Sequence, residues 1–218
     1  SLSWESQAQK AKDILQQSIP KQWLLPAHKL PSADLKNVED FPRKSGLLSA
    51  RELSITDMSA ATLVQNMGAG KLTAEEVVVA FLKRSVLGHQ LVMLNYILPG
   101  FGATDPCCQL NFATEFLTDR AIGRAKELDE YYRRTGKLVG PLGDFLISGA
   151  VQPIDNNSQH GVPISVKEHV GVKGLTCNAG YVAWYGPVLL QIQYQSQKLI
   201  TLGWTMLQQK TPSYYNVS

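Results

Sequence analysis

A proline inside a short strand-forming run constrains this chain most. Residues 162–166 read Val-Pro-Ile-Ser-Val. Pro163 has no N–H to give to a sheet ladder. The strand must therefore lie at an edge, begin at its proline, or bulge there. Lys167, Glu168 and His169 follow directly at its end. In open α/β sheets, ligands gather outside the carboxyl ends of strands. That corner is the first place to look for chemistry.

Helices precede the strand. Leu2, Ala8, Ala11, Ile14 and Leu15 form one apolar stripe at helical spacing, and Pro20 stops it. Pro26, Pro31 and Pro42 then punctuate an irregular arm expected on the surface. A short helix is expected next, capped by Thr56 or Asp57 and ending at Gly68, with Met58, Leu63, Val64 and Met67 facing inward. Thr73 and Glu76 fit a capping box. It opens a helix whose buried face uses Val77, Val78, Phe81, Leu82 and Ser85. A third helix is expected over about 111–135, with Leu117, Ala121, Ala125, Leu128 and Tyr132 at helical spacing and Gly136 just past its end. Helices feeding into a strand predict an α/β fold entered through a helical N-terminal layer.

The 218 residues are 44% hydrophobic, a composition that supports one domain with a core. The net charge of +3 comes with Lys and Arg scattered along the chain. A nucleic-acid binder would show them as a stripe, so no nucleic acid is expected as a partner. No apolar run reaches the ~18–20 residues that cross a bilayer. The least polar stretch, 91–101, is too short and holds Pro99 and Gly100. Ser1 is not followed by a secretory apolar segment, and the expectation is a processed chain or a fragment. Three cysteines, with Cys107 and Cys108 adjacent, make no disulfide framework. The expected setting is the reducing cytoplasm. His160 and His169 flank the lysine, but no spacing supplies a third ligand, so no metal or other cofactor is expected. Both are read as ordinary loop residues.

Lys167 has two readings. One is a solvated surface lysine, the usual fate of the residue type. The other is a buried base. An ordinary lysine, with pKa near ~10.4, is protonated at neutral pH and cannot accept a proton. Burial lowers that value because the ammonium loses its hydration. Val162, Ile164, Val166, Val170 and Val172 around it would supply such a setting.

The string Gly161-Val162-Pro163, then three residues, Lys167, Glu168, and finally Gly171-Val172-Lys173-Gly174 resembles the lysine segment of the amidase-signature family. It is most similar to the fungal acetamidase-like members. Leu72-Thr73-Ala74-Glu75-Glu76, Phe81-Leu82-Lys83-Arg84 and Thr118-Asp119-Arg120-Ala121 agree with that resemblance, as does the start Ile19-Pro20-Lys21-Gln22-Trp23. The resemblance implies a serine hydrolase of C–N bonds. A serine would attack the amide carbonyl, and a second serine would relay its proton to Lys167. Backbone N–H groups of a Gly-rich loop would hold the oxyanion. Lys167 is the position matching the family lysine, with the role of neutral base and then acid toward the leaving amine.

The family's Gly-Gly-Ser-Ser-Gly-Gly loop does not occur in these residues. The expectation is an amidase-signature fold, with a helical layer leading into a mixed sheet, truncated before most of that sheet. Residues 1–186 would form a partial amidase domain, with the arm and helices in 1–136 and the lysine strand in 160–174. Residues 92–109 and 143–159 read as atypical inserts, and 187–218, which holds no Asp or Glu, as a divergent tail. The implied substrate is a small amide, cleaved to carboxylate and ammonia, and the chain alone is expected to be inactive. The alternatives are a non-catalytic interaction fragment, paired as a homodimer or with a partner subunit, and the product of a damaged or misannotated gene.

Overall fold

A computed structural model describes residues 3–31, 37–91, 113–139, 160–167, 174–175 and 205–209. Helix α1 (Trp4–Ser18) is capped by Ser3, whose hydroxyl accepts the Ser6 N–H, and gives way to extended backbone at Ile19, ahead of Pro20. Its expected stripe is only partly buried. Leu15 packs on the core, Ala11 and Ile14 are exposed, and Leu2 lies outside the described residues. The arm after it departs from the surface placement. Two 3₁₀ turns, Lys21–Trp23 and Ala27–Lys29, bring Trp23 and Leu25 into the interior. The Gln90 side chain grips this arm, accepting from Leu25 N at 3.0 Å and donating to Leu25 O at 3.3 Å.

After the short helix α2 (Phe41–Lys44) comes a helix that was not expected, α3 (Ala50–Thr56); the expected helix is α4 (Ala60–Gly68), which ends at Gly68 but starts from Ser59 rather than from Thr56 or Asp57. Ser49 and Glu52 form a full capping box on α3, and Ser59 caps α4 by accepting the Thr62 N–H. Leu63, Val64 and Met67 are buried as expected, while Met58 falls in the break between the helices. Ser49→Ala removes the acceptor that holds Glu52 N at 3.2 Å. It is expected to cost about 1 kcal/mol, read from the urea midpoint. An unchanged midpoint would mean the cap carries no weight.

Helix α5 (Ala74–Leu91) is the centre of the helical layer. Val77, Val78 and Leu82 are fully buried, and Phe81 and Ser85 are half-buried. Lys83 reaches back to Glu52 at 2.6 Å and ties α5 to α3. Burial pushes the Glu52 carboxyl up, yet its bonds to Lys83 and Ser49 outweigh this and hold it below the usual range.

The third long helix starts later than its apolar spacing predicts. Ala113–Glu115 is a strand, β1, and helix α6 covers Thr118–Thr135. The cause is pairing with a distant segment. β1 runs antiparallel to β3 (Thr205–Gln209), which also pairs in parallel with β2 (Pro163–Lys167). Among the described residues the sheet order is β1-β3-β2, and the sheet is mixed. Pro163 is the first residue of β2, and β2 lies at an edge of this sheet, so two of its allowed placements hold together. At the far end of α6, Gly136 takes φ 64° and donates to Tyr132 O, as its position predicts.

The stretches 92–109 and 143–159 lie outside the described residues. So do Glu168, His169, Cys107, Cys108, Cys177, Trp184 and Tyr185. β3 falls within the stretch 187–218, read from the sequence only as a divergent tail. Among the described residues, no helix is long and apolar enough to cross a membrane.

Candidate active site

The helix termini build the platform from which β2 departs. An α-helix begins with N–H groups that have no partner within it. In α5 each finds one. Thr73 N donates to Glu76 Oε2 at 2.9 Å, and Glu76 N donates to Thr73 Oγ1 at 3.1 Å, which is the expected capping box. Ala74 N and Glu75 N donate to the two carboxylate oxygens of Asp129, at 2.7 and 3.0 Å. Asp129 belongs to α6, so one side chain both closes the α5 terminus and locks α6 across it. A carboxylate there also suits the positive end of the helix dipole.

The turn into β2 sits against that junction. Gly161 has φ 69°, a conformation that favours glycine. A Cβ at this position would come within 2.5 Å of the Ala74 Cβ and 3.2 Å of the Met67 sulfur. Only a residue without a side chain lets the backbone approach this closely. His160, read from the sequence as an ordinary loop residue, does lie in the turn, but it is only 1% exposed. Its Nδ1 accepts the Val139 N–H at 3.0 Å, so that nitrogen carries no proton. The ring lies 6.3 Å, centroid to centroid, from the Tyr132 ring, whose hydroxyl donates to Gly68 O at 2.8 Å.

Burial pushes the His160 imidazole below its ordinary 6.5, with Asp129 opposing and Arg124 adding to the shift. The unfolded chain therefore takes up a proton at a higher pH than the folded one. Stability from this group is complete above about pH 6.5 and falls as the pH drops through the lowered folded value. Glu115 acts in the opposite sense. Burial raises its carboxyl above 4.5, partly offset by Arg120, so the folded state gains from acidification there. The two groups act in opposite senses as the pH falls, so the expected result is a difference. The stability advantage over His160→Asn should shrink on acidification below about pH 6.5, and a flat difference in urea titrations would contradict this.

Lys167 is the last residue of β2, with Gln209 of β3 as its partner across the parallel ladder. Its backbone thus stands at the carboxyl end of a strand, where the sequence puts it; its side chain lies outside those described. A cavity of about 480 Å³ lies between the end of α1 and the β1–α6 junction, with Trp23, Glu115 and Arg120 among its walls. Among the described residues no group of His, Cys, Asp and Glu could hold a metal ion.

No family model matches the chain. Over 182 residues it is 38% identical to the acetamidase of Emericella nidulans, an alignment covering 84% of this chain and 26% of that protein. The acetamidase of Aspergillus oryzae is 35% identical over 187 residues, 85% of this chain and 27% of the relative. The chain belongs to the amidase-signature family. Fatty acid amide hydrolase, a solved structure of this family, is similar at a TM-score of 0.72 and 28% identity. That likeness covers 95% of this chain and 31% of the other. The chain thus spans about a quarter of the length of the amidase-signature relatives it matches.

Proposed function

We propose that these residues are the lysine-bearing N-terminal portion of an amidase acting on small linear amides, with Lys167 as its base. Identity with acetamidases over 84% of the chain carries the reading. The backbone position of Lys167 at the carboxyl end of β2 supports it. In the reaction a serine oxygen bonds to the amide carbonyl carbon, and its proton passes through a second serine to the neutral Lys167 amine. The C–N bond breaks, and the lysine returns the proton to the departing ammonia. Water then releases the carboxylate and restores the serine. The serine-rich loop that performs the attack is not among these 218 residues, so by themselves they do not hydrolyse amides. The substrate is a small amide, and the three unpatterned cysteines favour a cytoplasmic setting.

In the same reading, 1–186 is a partial amidase domain, 92–109 and 143–159 are insertions into it, and 187–218 is a divergent tail. The test is a chimera in which residues 1–174 replace the matching part of a complete acetamidase. Acetamide hydrolysis should survive the exchange and fall to background with Lys167→Ala. Deleting 92–109 and 143–159 should leave it intact. A chimera that is equally active with alanine at position 167 would remove Lys167 from the chemistry.

A further inference from the structure

The turn that launches β2 is clamped from two sides. On one side the buried His160 ring takes the Val139 N–H on Nδ1 at 3.0 Å, which binds the turn to the segment leaving α6. On the other, Gly161 lies against the first residue of α5 and the Met67 sulfur of α4. Asp129 of α6 fixes α6 to the start of α5 through Ala74 N and Glu75 N. Lys167 is reached from this turn along one short strand. An extended backbone has little slack, so a shift or tilt at the turn moves the strand's far end with it.

We infer that His160 is a positioning residue, holding the strand that presents Lys167 through the acceptor lone pair of its neutral Nδ1. The inference rests on the reading of Lys167 as the amidase base. His160 touches no reacting atom in this scheme; it acts through the turn and β2. A ring that only filled space would be replaceable by any apolar group of its size.

The acceptor's place on the side chain separates these cases. Nδ1 is bonded to Cγ, and the amide oxygen of asparagine is bonded to Cγ as well. Glutamine carries its oxygen one bond further out, near the place of Nε2. Phenylalanine keeps a ring and offers no acceptor. The expected order is therefore that His160→Asn keeps the clamp, while His160→Gln and His160→Phe lose it.

Amide hydrogen exchange on the 218-residue chain, in variants whose far-ultraviolet circular dichroism matches the parent, reads this directly. Exchange at Val139 and across 164–167 should quicken about tenfold in His160→Gln and His160→Phe, and stay near the parent rate in His160→Asn. Equal rates in the parent and His160→Phe would overturn the inference. Rates in His160→Asn as fast as in His160→Phe would do so too, since the acceptor would then not matter. If His160→Asn fails to fold, nitrogen NMR of the parent imidazole decides, and a proton found on Nδ1 sinks the inference. Titration of the Lys167 amine in the same variants keeps the two readings apart. A depressed value that returns toward normal only when the clamp is lost supports both. An ordinary value in every variant removes the base assignment and leaves the clamp to be judged by exchange alone.

Discussion

Gly161→Ala should cost about 3 kcal/mol of stability, the largest loss expected from any single methyl group in the described structure. Two penalties add. An alanine at φ 69° is in the left-handed region, at about 1–2 kcal/mol. Its Cβ would also stand 2.5 Å from the Ala74 Cβ and 3.1 Å from the Ala74 Cα, and backbone in a helix's first turn cannot swing aside as a side-chain tip can. Gly136→Ala is the matched control. Its φ is 64°, but a Cβ there meets nothing within 4 Å, so only the conformational part, about 1 kcal/mol, should appear. Urea titration of both variants measures the difference. Equal losses would mean that the turn can move off α5, and that the strand entry is looser than described.

Asp129→Ala should be nearly as severe, at about 2–3 kcal/mol. It strands Ala74 N and Glu75 N, now held at 2.7 and 3.0 Å, at a helix start packed against α6 and the β2 turn. Ala74 itself is fully buried, so water cannot easily take the carboxylate's place. Asp129→Asn keeps one acceptor oxygen but turns a second amide donor toward the same terminus. It should lose about half as much. Thermal or urea unfolding with the order Ala worse than Asn worse than parent is the expected result. An alanine variant as stable as the parent would show that the α5 terminus finds other partners.

These two residues mark where reading the sequence succeeds and where it stops. The α5 start was legible because Thr73 and Glu76 are local partners, and the pair satisfies two donors within one turn. The other two donors go to Asp129, on a different helix, and no local pattern announces that. The same divide explains α6. Its end at Gly136 is a local signal, whereas its start was misplaced because β1 exists only through pairing with β3. Helix α3, which was not expected, is a different case. Ser49 with Glu52 is a capping box as plain as that of Thr73 and Glu76, so its start too is a local signal in the sequence. The arm misled because prolines and missing periodicity describe its backbone, while the burial of Trp23 comes from what packs on it.

At the candidate site, the lysine's place at a strand end was legible from Pro163 and the residues after it. The role of His160 was not. A histidine beside a glycine in a turn gives no sign of being 1% exposed and bonded to a backbone N–H after another helix. The family itself was legible in the lysine string, and the identity with acetamidases agrees with it.

The deciding measurement is hydrolysis of acetamide by the purified 218-residue chain, followed as ammonia release beside Lys167→Ala. No release above background is expected from either protein, because the lysine is present and the serine loop is not among these residues. Release by the parent that disappears in the variant would show that a serine within these residues completes the site, and would contradict the account.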